Sequence, residues 1–369
     1  MTDPWQWADE IGPEKVMHLH DAAAGLRAVV AIDNTAAGPS IGGVRMAKDV
    51  SAEEAFRLAR AMTFKNAAAG LPHGGGKSVV VGDPHMSDAE KETLIRAFAQ
   101  AIRDLTGYIP GPDMGTDERC MAWIRDEIGR AVGLPPELGG IPLDEIGATG
   151  LGLAVSADVA SRRLDLPLAG ARVAIQGYGN VGRHAARFLA ARGAVVVAVS
   201  DSGGVAIDAG GLALDSLDVL KREGRSVADL PGCGSTSSEA ILDVACEIWI
   251  PAARPDVVTE ENVDRLDTRL VLQGANIPFT PEAERILHTR GVLVVPDFIA
   301  NAGGVICASV EYHGGDERQA LQTIETKIAA NVEAVLEKAQ ASGQMPRAAA
   351  VALARERVRK AAATRRWHA

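Results

Sequence analysis

The sequence predicts an α/β protein of two domains, the second built on a mainly parallel sheet with helices on both faces. Three observations carry this expectation. At 369 residues the chain is longer than one hydrophobic core usually organises. A stretch rich in proline and glycine, residues 135–150, suits a crossing between domains. Beyond it, β-branched runs at 172–176, 194–199, 247–250, 269–272 and 292–295 alternate with helical patterns, the first of them at 180–192. Such alternation is the signature of parallel strands joined by crossover helices.

The first half is more varied. Residues 16–32 read as two strands around a turn at 21–25, with His18 and His20 on one face of the first. Ser51 stands three residues before Glu54, a capping box, and Ala55, Leu58, Ala59 and Met62 follow at helical spacing, with Lys65 about one turn further on. Gly74-Gly75-Gly76-Lys77 reads as a turn leading into a short strand at 78–81, and a helix is expected from about 87 to 105. Near the end, Leu321, Ile324, Ile328, Val332 and Val335 share one helical face. We expect residues 1–145 with 325–369 to form one domain and 146–324 the other.

Composition narrows the function. A formal charge of -10 disfavours general affinity for nucleic acid, and the basic residues Arg355, Arg357, Arg359, Lys360, Arg365 and Arg366 read as a solvated helical face. No apolar run approaches the roughly 20 residues that span a bilayer. The segment Met1–Trp5 lacks a basic stretch followed by an apolar one, so a cytoplasmic protein is expected. Cys120, Cys233, Cys246 and Cys307 are scattered, and the eight histidines make no ligand pattern, so no metal is expected.

Two constellations carry chemistry. Gly177-Tyr178-Gly179-Asn180-Val181-Gly182 fits G-x-G-x-x-G between a strand and a helix, the setting in which the glycines let the backbone approach a dinucleotide pyrophosphate. Asp201, nineteen residues after Gly182, ends the next strand, where a carboxylate accepts from ribose hydroxyls and favours NAD over a 2'-phosphorylated cofactor. The small polar Ser200 and Ser202 leave NADP open. The second constellation is Lys65, Lys77 and Asp113. A lysine fixed on glycine-rich backbone and walled off from water acquires a lowered pKa, and the carboxylate of Gly111-Pro112-Asp113-Met114-Gly115-Thr116 supplies a proton-transfer partner. A phosphate-binding loop is the alternative for the glycines, but G-x-x-x-x-G-K-[ST] requires glycine where Leu71 stands.

Together with their flanks these residues resemble the amino-acid dehydrogenase superfamily of glutamate, leucine, valine and phenylalanine dehydrogenases. The resemblance runs through Gly38-Pro39-Ser40-Ile41-Gly42-Gly43-Val44-Arg45-Met46, Met62-Thr63-Phe64-Lys65, Leu71-Pro72-His73-Gly74-Gly75-Gly76-Lys77, Pro112-Asp113-Met114-Gly115-Thr116 and Ala148-Thr149-Gly150. It continues through the dinucleotide signature, Ile250-Pro251-Ala252-Ala253, Gly274-Ala275-Asn276, Pro296-Asp297 and Asn301-Ala302-Gly303-Gly304-Val305. It implies reversible oxidative deamination of an L-amino acid to a 2-oxo acid and ammonia, with hydride passing to NAD or NADP. Lys77 matches the catalytic lysine and Asp113 the proton-relaying aspartate. Lys65 matches the lysine that holds the substrate carboxylate, beside Gly42 and Gly43, and Asn301 a substrate-binding asparagine. Thr149, Ala252 and Asn276 match the cofactor side, and the first domain would bind substrate and direct assembly into a homo-oligomer.

Substrate choice turns on two positions. Glutamate-specific members carry a lysine before the Gly-Gly pair and a serine on the helix after the Asn-Ala-Gly-Gly motif; here Ile41 and Ala308 stand there. A carboxylate buried beside them without a cation would lose several kcal/mol. A branched-chain or aromatic amino acid is therefore expected, with a glutamate dehydrogenase as the alternative and a non-catalytic cofactor-binding regulator as a more distant one. Gln273 replaces the glutamate that often precedes Gly-Ala-Asn.

Overall fold

The computed structural model describes residues 6–235 and 237–364, so Met1–Trp5, Arg365 and Arg366 lie outside the described residues. The chain divides into two compact units. The first holds residues up to Pro142, Val305–Ala320 and Val351 onward; the second holds Leu143–Gly304 and Leu321–Ala350.

The first unit opens with β1 (Lys15–Asp21), β2 (Leu26–Asn34) and β3 (Ser40–Ala47), then α1 (Ala52–Ala68), β4 (Gly74–Val81), α2 (Asp88–Ala101), β5 (Tyr108–Pro112) and α3 (Glu118–Ile128). The strands form one sheet in the order β1-β2-β4-β3-β5, antiparallel from β1 to β4 and parallel from β4 to β5. Its core joins Leu26, Val30, Ile32, Val44 and Met46 to Ile95, Phe98 and Ile124 of α2 and α3.

Gly74-Gly75-Gly76 is not a turn. These residues begin β4, between β2 and β3, on extended backbone. What demands glycine is close approach. A Cβ on Gly75 would lie 2.1 Å from the Thr63 nitrogen of α1, one on Gly74 1.6 Å from Asn34 O, and one on Gly42 of the neighbouring strand 1.6 Å from Gly76 O. The strand β3 itself, with Gly42 and Gly43 at its centre, has weak strand character in sequence and exists through its two parallel neighbours.

The second unit contains α4 (Ala148–Arg163), β6 (Arg172–Gln176), α5 (Asn180–Ala190), β7 (Val195–Asp201), β8 (Gly204–Ile207), α6 (Leu214–Arg222), β9 (Gly234–Ser235), β10 (Ile248–Pro251), β11 (Leu270–Leu272), α7 (Pro281–Thr289), β12 (Leu293–Val295) and α8 (Asp297–Ala300). The chain then passes into α9 (Gly303–Tyr312), α10 (Glu317–Ser342) and α11 (Pro346–Ala363). The sheet order is β12-β11-β10-β6-β7-β8-β9. Its first five strands are parallel and the last two antiparallel, which gives the expected mainly parallel, Rossmann-type sheet. From β6 the chain builds first toward β7 and later toward β10, so the strand order reverses at β6, where such sheets hold ligands.

The two units differ from the expected domain boundaries near the C-terminus. Residues 305–320 group with the first unit because Ala308 packs against Ile41, Ile109 and Val132, and Glu311 accepts from the backbone N–H groups of Leu134 and Ile141. Residues 321–350 group with the second because Glu333 and Glu337 pair with Arg163, and Arg347 enters a buried cluster with Glu284 and Asp297. Among the described residues no helix is long and apolar enough to cross a membrane.

Candidate active site

In the first unit three neighbouring strands deliver the chemistry to one place. Lys77 projects from β4, Arg45 from β3 and Asp113 from the residue after β5. The Lys77 ammonium pairs with Asp113 Oδ2, and Arg45 Nε donates to the same oxygen at 3.1 Å. Gly43 lies against both partners: a Cβ there would fall 2.7 Å from Asp113 Cβ and 3.0 Å from Lys77 Nζ. The Asp113 backbone is fixed by Thr116 Oγ1, which accepts from Asp113 N–H at 3.1 Å and donates to Val44 O at 2.7 Å.

Burial pushes Lys77 below the ordinary lysine value, against the pull of Asp113. Burial also pushes the Asp113 carboxyl upward, but Lys77, the Met114 N–H and Arg45 together outweigh it and hold the group below the usual carboxylate range. The result is an ionised carboxylate beside a desolvated lysine, a pair of the kind that acid-base sites use.

Ile41, two residues before Gly43, packs in a buried apolar cluster with Ile109 and Val132, and Ala308 closes it from α9. Lys65 lies half-buried in the last turn of α1, the helix that rides on β4 through Gly75. Gly42 follows Ile41 on β3, its carbonyl accepting from the Tyr108 hydroxyl at 2.9 Å.

The second unit gathers another set at the carboxyl ends of its strands. Gly177 takes φ +98° and is hemmed in by Ala252 and Ala253, and a Cβ on Gly182 would lie 1.8 Å from Gly177 O. Gly179, by contrast, faces open space, and α5 begins at Asn180 and Val181 without a side-chain cap. Open room beside uncapped helix N–H groups fits a pyrophosphate. Ala252 follows β10, its N–H bonded to Gln176 O at 2.7 Å, and Thr149 stands in the first turn of α4. Asn301 is buried and donates to Gly274 O and to Asn276 Oδ1, at 3.2 and 2.9 Å, leaving its own Oδ1 without a protein partner.

Asp201 departs from the expectation that it meets the ribose as a free carboxylate. Its Oδ1 accepts from Ser226 Oγ and Gly203 N–H, and its Oδ2 from Lys221 Nζ and Val227 N–H, all between 2.7 and 3.0 Å. Two donors per oxygen is the usual complement of a carboxylate, and Lys221 cancels the charge. The argument for NAD from repulsion of a 2'-phosphate therefore loses its basis. Ser202, next to it, is exposed.

The glutamate/leucine/phenylalanine/valine dehydrogenase family matches residues 139–366, and the dimerisation domain of Glu/Leu/Phe/Val dehydrogenases matches residues 13–130. This chain belongs to that family. It is an amino-acid dehydrogenase, an oxidoreductase that uses NAD or NADP.

The glutamate dehydrogenase of Aeropyrum pernix is 40% identical over 357 residues, covering 90% of this chain and 85% of the relative. The NADP(+)-dependent glutamate dehydrogenase of Pyrobaculum calidifontis is 39% identical and the NAD-specific one of Staphylococcus aureus 35%, with the same coverage of 90% and 85%. Among solved structures, the hetero-hexameric glutamate dehydrogenase of Thermus thermophilus in its Leu-bound form superposes with TM-score 0.84 at 30% identity, covering 97% of this chain and 91% of that one. The L-tryptophan dehydrogenase of Nostoc punctiforme gives 0.75 at 28%, covering 95% and 97%. The names of the sequence relatives favour glutamate, the alternative substrate, over the apolar amino acid expected from Ile41 and Ala308.

Several residues of the dehydrogenase's candidate site escape sequence reasoning. Arg45 and Glu54 are legible only as parts of a motif and a cap, yet they bind each other at 2.6 Å. Ile109 and Val132 lie on segments without a local signal and meet Ile41 only through sheet pairing and the loop after α3. Lys221 is twenty residues beyond Asp201, and no spacing rule links them.

Proposed function

We propose that this dehydrogenase deaminates an apolar L-amino acid, converting it with NAD(P) and water into a 2-oxo acid, ammonium and the reduced cofactor. The observation that carries the substrate class is the apolar cluster that Ile41, on the strand that also bears Gly42 and Gly43, forms with Ile109, Val132 and Ala308. Its four side chains carry no charge and complement a branched or aromatic group by apolar burial.

The family resemblance, with the geometry beside it, supports the other roles. Lys65 holds the substrate carboxylate, beside the Gly42–Gly43 backbone. NAD or NADP, when bound, would supply the acceptor for the hydride of the α-carbon. Asp113 removes and returns the proton of the substrate nitrogen, and Lys77, desolvated, stabilises negative charge on the oxygen that water brings to the imine carbon. Asn301 and Asn276, joined to each other, orient substrate and the nicotinamide end, with Thr149 and Ala252 nearby along the strand ends. Gly177, Gly179, Asn180, Val181 and Gly182 hold the pyrophosphate, and Asp201 and Ser202 flank the adenosine ribose.

A second reading, a glutamate dehydrogenase, is favoured by the names of the sequence relatives. Initial rates of NAD and NADP reduction with leucine, valine, phenylalanine, tryptophan and glutamate separate the two; a clear preference for glutamate would replace the first reading by the second. The match to a dimerisation domain supports a homo-oligomer, which light scattering of the purified protein tests.

A further inference from the structure

Asp113 is held by two cations on one oxygen, and the second of them has a support of its own. Arg45 reaches Asp113 Oδ2 with Nε at 3.1 Å while its NH1 donates to Glu54 Oε1 at 2.6 Å. Glu54 occupies the third position of α1, where Ser51 Oγ accepts from its backbone N–H at 3.1 Å. In a capping box its carboxylate would fold back on the Ser51 N–H, as Glu90 does for Ser87 at the start of α2. Here that carboxylate is directed to Arg45 instead. All three side chains are partly buried, at 23, 31 and 22% exposure for Arg45, Glu54 and Asp113, so the array is not a loose surface pair.

The chemistry explains why one cation would be insufficient. In the proposed reaction Lys77 serves both Asp113 and the substrate oxygen, so its hold on Asp113 is shared. A guanidinium keeps its charge throughout the accessible pH range and binds through a rigid planar fork. Both cations make their shortest contact with Oδ2, and the Met114 N–H also donates to this carboxylate.

We propose that Arg45, braced by Glu54, is the positioning residue of the reaction: it pins Asp113 Oδ2 independently of Lys77 and so reserves Oδ1 for the substrate nitrogen. This rests on the proposed deamination. The groups that face Asp113 are Lys77 on β4, Arg45 on β3 and, through Arg45, Glu54 on α1.

Three variants of the full-length protein, Arg45→Met, Arg45→Lys and Glu54→Gln, test it against wild type on the preferred amino acid. In Arg45→Met we expect kcat to fall roughly 10²-fold with KM within threefold, as for a catalytic group displaced by about 1 Å. The acid limb of the kcat/KM profile should move about one pH unit higher, because removing a cation disfavours the ionised carboxylate. Arg45→Lys should recover the pH profile but only part of kcat, and Glu54→Gln should show a smaller loss of the same kind. Thermal midpoint and NADH affinity, read by fluorescence, should stay near wild type. An unchanged kcat and pH profile in Arg45→Met overturns the proposal, as does a loss in all three variants that tracks their thermal midpoints. If wild type reduces neither cofactor with any amino acid, the deamination reading fails and this inference with it.

Discussion

Ile41→Lys should exchange one substrate preference for another. Ile41 is 4% exposed and touches Ile109 and Val132, themselves 0 and 2% exposed, with Ala308 at the edge. A leucine side chain added to this cluster buries three to four carbons, worth roughly 2–3 kcal/mol at about 0.8 kcal/mol per methylene. A glutamate side chain brings a carboxylate among four uncharged groups, and its incomplete pairing costs about 2–3 kcal/mol even after water or a distant cation relieves part of the burial. The sum, about 5 kcal/mol, corresponds to roughly 10³-fold or more in kcat/KM between the two amino acids. A lysine at position 41 reverses the second term and spoils the first. Because that lysine must itself be desolvated, we expect a partial exchange: about a 10²-fold gain for glutamate and a 10- to 10²-fold loss for leucine. Initial rates over a range of both substrates, at fixed saturating cofactor, measure it. Wild type that prefers glutamate, with Ile41→Lys no better on it, would refute the apolar-pocket reasoning and leave the relatives' names as the better guide.

Three further outcomes can be checked. Lys221→Gln uncovers the Asp201 charge, so affinity for NADPH should fall about tenfold or more while NADH affinity changes little; calorimetry of both dinucleotides decides, and an unaltered ratio would remove Lys221 from cofactor choice. Gln273→Glu places a third carboxylate beside Glu284 and Asp297, where Gln273 Oε1 now accepts from Asp297 N–H at 3.0 Å and from Arg347 at 2.6 Å. The loss should be about 2–4 kcal/mol in urea unfolding at pH 8 and smaller at pH 5, because the added group's folded pKa is raised and its penalty appears as pH rises through it; equal losses at both pH values would count against this reading. His73, buried with its Nε2 unpartnered, has its pKa pushed down to about 4 by burial. Between pH 6.5 and 4 the unfolded chain binds the proton that the fold refuses, so stability should drop with acid by at most about 3 kcal/mol, and less if the neighbouring cavity of about 220 Å³ admits water. His73→Asn, which keeps a donor toward Pro39 O, should flatten that slope, and a slope as steep as wild type would assign the acid loss to other groups.

What the sequence reveals is what local chemistry writes down. Asn180–Ala190 follows β6 through glycines whose spacing encodes the turn, and Ser87 with Glu90 marks the start of α2; both signals act within a few residues. The parallel strands are visible as apolar runs because they are buried on both faces. Gly74-Gly75-Gly76 reads as a turn in sequence because the reason for each glycine lies elsewhere in the chain, at Thr63 of α1, Asn34 of β2 and Tyr108 of β5. The antiparallel β8 and β9 leave no such trace, being short, with β8 paired to β7 and β9 only to β8. Asp201 illustrates the same limit for a site: its place after β7 is legible, but its neutralisation depends on Lys221 and Ser226, brought by α6 and the turn beyond it.

The glycines of the first unit and its charged residues are one device. Lys77 and Asp113 come from strands that do not pair with each other in register but flank β3, and Gly43 lies between them. Any side chain at Gly43 would force Asp113 and Lys77 apart, and any at Gly42 or Gly75 would lift β3 or α1 off β4. Glycine in a strand interior destabilises by roughly 0.5–1 kcal/mol relative to alanine, so five such positions in β3 and β4 are a substantial concession. They are offset by the apolar core on the α2 and α3 side and by parallel pairing on both sides of β3. The concession falls where backbone must approach backbone to bring an ammonium and a guanidinium onto one carboxylate oxygen, and Ile41 places the apolar cluster one residue away from the Gly42–Gly43 pair. On the proposed reading β3 serves both substrate class and proton transfer: its sequence Ile41-Gly42-Gly43-Val44-Arg45 gives one residue to the apolar cluster, two to close packing, one to the core and one to the Asp113 carboxylate.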